Sequence, residues 1–265
     1  MPFAKSQKQP LRLAYNTGTF QSGELYLPAQ PGPYPVVILI HGGYWRSHFG
    51  LDLMHGLARD LVARQIAVWN IEYRRVGNPG GGWPGTFLDV AQAADYLRTI
   101  ATTYELDLAR VIPIGHSAGG HLALWLAARS HIPAHSSIYP HEHPQTLSGA
   151  ISLAGVINLE MAYQLHLSND AVVGLLGGTL EQTPERYIAA SPAALLPLHI
   201  PQVLIHGTAD ANVPIEVSQA YGAAARAAGD TIISLEPAGV DHFDIINPAT
   251  KIWEATVQEL EKLLK

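Results

Sequence analysis

The sequence contains no cysteine among its 265 residues. Disulfide bonds, thiolate metal sites and cysteine nucleophiles are therefore excluded. Charged side chains are also scarce, at 14% of residues against roughly 25% in an average soluble domain. Because hydrophobic residues make up 48% of the chain, the composition excludes an intrinsically disordered protein.

The chain also lacks an excess of positive charge and long apolar runs. Sixteen Lys and Arg against 22 Asp and Glu give a net charge of -6, and no basic patch suited to a phosphate backbone is visible. We therefore expect no nucleic-acid partner. No run of about 18 apolar residues predicts a membrane span. The stretch Met1–Tyr15 carries Lys5, Lys8 and Arg12 without the apolar run of a secretory signal, so a cytoplasmic location is the default expectation. A mature secreted form with its signal removed would look the same.

Short apolar runs alternate with helix-like stretches along the chain. The predicted strands are Leu11–Tyr15 and Glu24–Leu27, which can pair as a hairpin, then Pro35–Ile40, Ile66–Tyr73, Arg110–Ile114, Ala150–Leu153, Val203–His206 and Thr231–Leu235. The predicted helices are Leu51–Arg64, Phe87–Ala101, Ala118–Ser130, Gln219–Ala228 and Ala249–Leu264. This alternation predicts an α/β fold whose mostly parallel sheet is covered by helices on both faces.

The length suits one domain over residues 1–265. The stretch 158–197 breaks the alternation with several short helical pieces. We expect it to form a cap inserted over the strand ends.

The strongest local motif is Gly115-His116-Ser117-Ala118-Gly119, which matches G-x-S-x-G. It lies between a predicted strand and a predicted helix. In that context the serine occupies a tight, strained turn that lifts its hydroxyl clear of the sheet, at a helix N-terminus that favours negative charge. Ser117 is therefore the candidate nucleophile, and the alternative is an ordinary Gly-rich turn.

A second glycine motif, His41-Gly42-Gly43-Tyr44-Trp45, directly follows the apolar run PVVILI. An acyl-transfer enzyme must stabilise a tetrahedral oxyanion with fixed N–H donors. A Gly-Gly pair lets the backbone approach a substrate closely, and the residue after the serine adds another donor. The candidate oxyanion hole is therefore Gly42, Gly43 and Ala118, and a plain turn is the alternative.

The remaining members of a catalytic triad are expected in the chain order Ser, Asp, His. Asp210 follows the predicted strand at 203–206, and His242 follows the strand at 231–235. His242 would take the proton from Ser117, and Asp210 would hold the imidazole in the correct tautomer. Asp241 and Asp244 are rivals for the acid, but neighbours so close in sequence rarely fold back to the ring.

The other histidines receive structural interpretations. His116 and His121 flank Ser117. They would shape the strand-to-helix turn that carries the serine (the nucleophile elbow) or the helix after it, and His206 would be structural. A Pro-rich segment holds four more histidines: His131, His135, His141 and His143. Their spacing matches no metal-binding HExxH pair, so we expect a solvated loop and no metal.

The motifs HGGYW, GHSAGGHLA, HGTAD and GVDHFDI together resemble the α/β-hydrolase superfamily over nearly the whole chain. HGGYW and VDHF are most similar to the kynurenine formamidase (arylformamidase) group and its bacterial esterase relatives. The resemblance implies a triad of Ser117, Asp210 and His242, with Gly42 and Gly43 in the oxyanion hole. It also implies two-step acyl transfer on a small-molecule ester or N-formyl arylamide, without a cofactor.

A formamidase would need an aromatic pocket. Tyr44 and Trp45 follow the glycine pair, and Trp83 lies in the Gly-rich stretch Gly77–Gly85, which lacks the G-K-[S/T] ending of a phosphate-binding loop. These three side chains are candidates for substrate binding. Simple packing near the end of the sheet explains them equally well.

Two other functions stay open. Peptidases of the acylaminoacyl or dipeptidyl type share such a catalytic domain, but they carry a large N-terminal propeller. Only about 35 residues precede the first central strand here, fewer than one blade of roughly 40. A non-catalytic binding protein on the same scaffold would be signalled by loss of the serine or histidine, and both are present.

Overall fold

The computed structural model describes residues 9–265. Lys5 and Lys8, on which the expectation about the N-terminus partly rests, lie outside the described residues. Of the helices within 9–265, none is long and apolar enough to cross a bilayer.

Within residues 9–265, eight strands form one sheet in the order β1-β2-β4-β3-β5-β6-β7-β8. They are β1 Leu11–Ala14, β2 Ser22–Tyr26, β3 Tyr34–Ile40, β4 Ala67–Ile71, β5 Leu106–His116, β6 Ala150–Leu153, β7 Gln202–Ile205 and β8 Ile232–Leu235. Strands β1 and β2 form the predicted hairpin, and β2 also pairs antiparallel with β4. All other pairs are parallel.

The helices cover both faces of this sheet. They are α1 His55–Ala63, α2 Gly85–Asp95, α3 Leu97–Tyr104, α4 Ala118–Ala127, α5 Leu159–Gln164, α6 Ala171–Leu176, α7 Pro184–Ala190, α8 Glu216–Ala227 and α9 Lys251–Leu263. Ile38 of β3 packs in the same cluster as Phe87 of α2, whereas its neighbour Leu39 packs in the cluster of Leu57 and Trp253, from α1 and α9. Since successive strand residues point to opposite faces, a strand covered on both sides must be apolar throughout.

The fold predicted from the sequence is confirmed, and the differences are local. The stretch predicted as one helix at 87–101 forms α2 and α3, which are separated at Tyr96, where the N–H of Thr99 bonds to the carbonyl three residues back. The stretch predicted as a helix at 51–64 begins with a 3-10 turn, Leu51–Met54, before α1. The central strand β5 is longer than predicted.

The segment 158–197 contains the short helical pieces that its sequence predicts: α5, α6, α7 and a 3-10 turn at Pro192–Leu195. It packs against α4, where the indole N–H of Trp125 donates to the carbonyl of Ala189 at 3.1 Å. It also contacts the loop 41–51 that carries the HGGYW motif, called here the glycine loop, since the guanidinium of Arg46 donates to the carbonyl of Ser168 at 2.6 Å. The segment therefore lies beside the carboxyl ends of the central strands.

Candidate active site

Ser117 occupies the turn between β5 and α4, as predicted from the G-x-S-x-G motif. Its backbone has φ 57° and ψ -118°, a strained conformation for a residue with a side chain. A Cβ added to Gly115 would lie 1.9 Å from the carbonyl oxygen of Gly119, and one added to Gly119 would lie 2.0 Å from that of Ile40. Only glycine fits at these two positions, so the motif builds the elbow.

The glycine loop lies directly against the serine. A Cβ added to Gly42 would lie 2.8 Å from the carbonyl oxygen of His116 and 3.0 Å from Cβ of Ser117. Gly43 has φ +111°, a conformation that side chains rarely allow. Within residues 9–265, no recorded hydrogen bond uses the backbone N–H of Gly42, Gly43 or Ala118. The three predicted donors are thus free to bind another acceptor.

His242 and Asp210 meet across the carboxyl ends of β7 and β8. Nδ1 of His242 donates to Oδ2 of Asp210 at 2.6 Å, which leaves Nε2 of the ring available to accept a proton. Oδ1 of Asp210 accepts the backbone N–H groups of Asn212 and Val213 at 2.8 and 2.9 Å. The acid is therefore fixed by its own loop.

A second histidine, His206, also contacts this carboxylate, with its Nε2 3.3 Å from Oδ2 of Asp210. Burial raises the pKa of Asp210, but hydrogen bonds from His206, His242 and the N–H of Val213 outweigh that effect. The net pKa lies well below the usual value for aspartate, so the carboxylate stays ionised. Sequence analysis predicted only a structural role for His206, and its position four residues before Asp210 was the available signal.

The rival carboxylates have other partners. Oδ1 of Asp241 accepts the backbone N–H groups of Phe243 and Asp244, both at 2.8 Å, and so caps its own turn. Oδ2 of Asp244 lies 3.5 Å from the N–H of Asp241. Among these three aspartates, Asp210 alone has a recorded hydrogen bond to the ring of His242 within the described residues.

His116 supports the loop that carries His242. Its Nε2 donates to the backbone carbonyl of His242 at 2.8 Å, and the two ring centroids are 4.5 Å apart. Burial and the charge of His242 lower the pKa of His116 to about 3, so the ring is neutral at ordinary pH. His121 is buried on α4, where Nε2 donates to the carbonyl of Ala190 and Nδ1 accepts from the indole of Trp45.

A small cavity of about 110 Å³ opens beside Ser117. The residues that line it are Gly43, Tyr44, Phe49, Leu53, His116, Ser117, Asn212, His242 and Phe243. In the described part of the chain, no hydrogen bond is recorded between the Ser117 hydroxyl and the His242 ring. Such bonds are often long until a substrate binds.

The three aromatic residues predicted to bind substrate lie in different parts of the structure. Tyr44 lines this cavity, and its hydroxyl donates to the carbonyl of Asn212 at 2.5 Å. Trp45 is fully buried and donates to His121. Trp83 lines a different cavity, where the guanidinium of Arg186 lies 5.7 Å from its ring centroid. Trp45 and Trp83 are therefore not among the residues that line the cavity beside Ser117.

Sequence reasoning missed three apolar side chains that do line it: Phe49, Leu53 and Phe243. Phe243 directly follows the candidate base, and Phe49 follows the glycine pair by six residues. Both phenylalanines are nearly half exposed, at 46% and 48%, which is unusual for large apolar side chains. They form an aromatic rim around the opening.

The histidines of the segment 131–143 lie elsewhere. Nδ1 of His131 contacts the carbonyl of Leu195 at 3.0 Å, and the ring of His141 packs near that of Tyr139. Within residues 9–265, no three His, Asp or Glu side chains converge in an arrangement that could hold a metal ion.

The site thus combines a hydroxyl on a strained turn, an imidazole held by a carboxylate, and free backbone N–H groups beside the hydroxyl. This combination of groups suits nucleophilic attack on a carbonyl carbon, with the oxyanion stabilised by the N–H donors.

Comparison with known proteins identifies a family and several relatives. The BD-FAE family model matches residues 24–224. The chain is 26% identical to esterase LipC of Mycobacterium tuberculosis, over 82% of this chain and 55% of that protein. It is 26% identical to the isoprenylcysteine alpha-carbonyl methylesterase ICME of Arabidopsis thaliana, over 84% and 53%. The chain therefore spans about half the length of these curated relatives.

A third relative is matched over more of its length. The kynurenine formamidase of Danio rerio is 24% identical, over 92% of this chain and 78% of that protein. Among solved structures, a truncated carbohydrate esterase from gut microbiota has a TM-score of 0.84 at 19% identity and covers 98% of both chains. An esterase from Thermogutta terrifontis has a TM-score of 0.77 at 20% identity, over 100% of this chain and 94% of that chain. These structures share the fold of this chain.

Proposed function

The chain belongs to the BD-FAE family and has the α/β-hydrolase fold, and from this premise we propose that it is a serine esterase. Ser117 is the nucleophile, His242 the general base and Asp210 the residue that orients the base. The oxyanion hole consists of the N–H groups of Gly42, Gly43 and Ala118.

One observation carries the proposal. The serine on the strained elbow, the free N–H groups of the glycine loop and the Asp210-bound imidazole of His242 all meet at one small cavity. Structural reasons explain each feature alone, but no packing requirement explains their convergence.

The first half of the reaction forms an acyl-serine. Oγ of Ser117 attacks the ester carbonyl while Nε2 of His242 takes the hydroxyl proton. The new C–O bond forms as the carbonyl electron pair moves onto oxygen, and the N–H groups of Gly43 and Ala118 stabilise that charge. The bond to the alcohol oxygen then breaks, and His242 returns the proton to the leaving alcohol.

The second half releases the acid. Water attacks the acyl carbon, and His242 takes one of its protons. The bond to Oγ of Ser117 breaks, the proton passes from His242 to that oxygen, and the carboxylic acid leaves. Throughout, the ionised Asp210 stabilises the imidazolium that forms twice per cycle.

The substrate class follows from the size and lining of the cavity. A volume of about 110 Å³ is smaller than the roughly 150 Å³ of an engineered cavity that binds benzene. The walls contributed by Leu53 and Phe49 carry no charge. We therefore propose a neutral ester with a short acyl chain, of acetyl to propionyl size.

A second candidate substrate is an N-formyl arylamide. The formyl group is the smallest acyl group, and the exposed rings of Phe49 and Phe243 at the rim suit an aromatic leaving group. The match to a kynurenine formamidase over 92% of this chain favours the same chemistry.

We also propose that residues 158–197 form a cap within a single domain. Two contacts support it: Arg46 donates to Ser168, and the N–H of Trp83 donates to the carbonyl of Leu175 at 2.7 Å. In the described chain, the cavity beside Ser117 takes no lining residue from this segment. The cap would therefore contact only larger leaving groups, those that extend out of the cavity.

Substitution of the nucleophile tests the mechanism. We expect Ser117→Ala to lower kcat for p-nitrophenyl acetate by at least about 10⁴-fold. Ser152→Ala is the matched control, because Ser152 is equally buried on the neighbouring strand β6 and its hydroxyl has no recorded partner within residues 9–265. Undiminished turnover by Ser117→Ala would contradict the assignment.

Paraoxon offers an independent measurement, since a Thermogutta terrifontis esterase of this fold has been observed phosphorylated by it. We expect mass spectrometry to locate the phosphoryl group on Ser117. To separate the two substrate classes, kcat/KM is measured on p-nitrophenyl acetate and N-formylkynurenine. A preference of several orders of magnitude for the acetate would remove the formamidase candidate.

A further inference from the structure

A buried histidine–glutamate pair, His41 and Glu72, lies behind the glycine loop and has no part in the mechanism above. His41 follows β3 and is fully buried, and Glu72 follows the adjacent strand β4 and is 7% exposed. Nε2 of His41 lies 2.9 Å from Oε1 of Glu72. Neither residue is among those that line the cavity beside Ser117 in the described chain.

The hydrogen bonds of His41 determine its protonation state. Nδ1 lies 2.8 Å from the carbonyl oxygen of Gly42, which can only accept. Nε2 faces an oxygen of Glu72, which also accepts if the carboxyl group is ionised. An imidazole that donates from both nitrogens carries two ring protons, so these two acceptors match an imidazolium at position 41.

The surroundings keep Glu72 ionised. Its carboxylate accepts the backbone N–H groups of Tyr73 at 3.0 Å and Leu51 at 3.3 Å, and the guanidinium of Arg75 lies 3.4 Å away. Burial raises the pKa of Glu72, but the hydrogen bond and charge of His41, together with Arg75 and the N–H of Tyr73, outweigh it and lower the net pKa.

An aromatic ring faces the imidazolium on another side. The Tyr73 ring stacks on His41 with 4.4 Å between centroids and 10° between planes, and its hydroxyl donates to the carbonyl of His41 at 2.9 Å. The electron-rich face of the phenol ring favours a positive neighbour. Among the described residues, the ionisable side chains in contact with His41 are therefore Glu72 and Tyr73, and Arg75 contacts Glu72 from the other side.

The hydrogen bond from His41 to the carbonyl of Gly42 orients a donor of the proposed oxyanion hole. The carbonyl of Gly42 and the N–H of Gly43 belong to one planar trans peptide, in which the two groups point in opposite directions. A charge-assisted bond that fixes the carbonyl therefore fixes the direction of the N–H, and it also polarises the peptide. The N–H of Gly43 is one of the donors of the proposed oxyanion hole.

The same carboxylate holds the far end of the loop. Glu72 binds the N–H of Leu51, and the guanidinium of Arg75 donates to the carbonyl of Phe49. The loop 41–51 is thus held at both ends by the segment after β4. Glu72 contacts His41 at the start of the loop, and Glu72 and Arg75 bind its end.

We propose that Glu72 and a protonated His41 are positioning residues that orient the Gly42–Gly43 peptide toward the oxyanion of the transition state. The inference rests on the proposed function, and its first test does not depend on activity.

The first test counts ring protons on the wild-type protein. With ¹⁵N-labelled histidine, NMR at pH 7.5 should show both ring nitrogens of His41 protonated and correlated with the stacked ring of Tyr73. A single protonated ring nitrogen would overturn the inference. Because this experiment uses the native chain, it gives an answer even if the enzyme prefers another substrate or a variant does not fold.

The second test separates positioning from stability. Glu72→Gln keeps an acceptor for Leu51 but removes the charge, so we expect kcat for p-nitrophenyl acetate to fall about 10-fold to 100-fold, with KM changed less than about twofold. That loss is smaller than the 10²–10³ caused by deleting an oxyanion donor, because the donor remains but is aimed less well.

Glu24→Gln is the matched control, because Glu24 also pairs with a histidine, His55, at 2.9 Å, on the hairpin side of the sheet. We expect that variant to keep wild-type kcat. An unchanged kcat in folded Glu72→Gln would overturn the positioning role. Wild-type protein without esterase turnover would instead contradict the proposed function, while the NMR result for His41 would stand.

Discussion

Nδ1 of His242 lies 2.6 Å from Oδ2 of Asp210, although 32 residues separate them in the sequence. The short bond fixes the ring tautomer and leaves Nε2 as the proton acceptor. Asp241 is adjacent to the histidine in sequence, yet its carboxylate caps the turn that carries the histidine. Asp210 therefore orients the ring, and Asp241 stabilises the turn.

Asp210→Asn should lower kcat by about 10⁴-fold, because an amide at this position favours the wrong tautomer of His242. Asp241→Asn should change kcat by less than about fivefold, since it affects the turn and not the ring. The measurement is steady-state hydrolysis of p-nitrophenyl acetate by both variants. Equal losses in the two would mean that Asp210 is not the orienting acid.

Gly42→Ala should lower kcat by about 10²-fold to 10³-fold, the effect of losing an oxyanion donor. The added methyl group would lie 2.8 Å from the carbonyl oxygen of His116 and 3.0 Å from Cβ of Ser117, so the loop must move. Gly56→Ala is the control, because its methyl group would meet only Pro248 at 3.4 Å. A Gly42→Ala enzyme with wild-type kcat would contradict the placement of the oxyanion hole.

Leu53→Ala should shift the acyl-chain preference toward longer chains, because it removes apolar atoms from the wall of the cavity. One methylene in an apolar pocket changes kcat/KM by about 10-fold to 200-fold. We therefore expect the ratio of kcat/KM for butyrate over acetate esters to rise at least about 10-fold. Leu88→Ala, at an exposed position away from this cavity, should leave the ratio unchanged.

Stability should fall as the pH drops below about 6.5, in part because of His121. Burial lowers the pKa of His121 to about 4, so between these pH values the unfolded chain binds a proton that the folded chain does not. From pH 7.5 to pH 5.0 the linkage amounts to about 2 kcal/mol, since each pKa unit corresponds to about 1.4 kcal/mol.

Replacement of this residue tests the linkage. Urea unfolding of wild type and His121→Asn at both pH values should show a loss of unfolding free energy that is smaller by about 2 kcal/mol in the variant. His121→Asn will lower stability at both pH values, so the comparison uses the difference between pH values. An equal pH dependence in the two proteins would refute the contribution of His121.

Much of the fold could be predicted because single elements carry strong local signals. The PVVILI run predicts β3 as a strand buried on both faces, and the short helices of 158–197 follow from its broken alternation. The break between α2 and α3 was not predictable, because it depends on one backbone bond, from Thr99 to Tyr96, inside a continuous helical pattern.

The backbone geometry of the candidate site could be predicted where a motif requires that geometry. Gly115 and Gly119 permit the elbow at Ser117, and Gly42 permits close approach of the loop. The walls of the cavity were not predictable, because Leu53 and Phe49 reach it only through the path of the loop 43–53. The pairing of His41 with Glu72 also requires the strand order, which places β3 beside β4.

The site draws its parts from positions spread over 200 residues, from Gly42 to His242. During synthesis on the ribosome, the proposed nucleophile and glycine loop emerge first, and the base emerges only after β8. A partly made chain therefore holds a serine with no base to activate it. If the proposed mechanism holds, the topology delays esterase chemistry until strand β8 has been added, so turnover would report that the whole sheet has assembled.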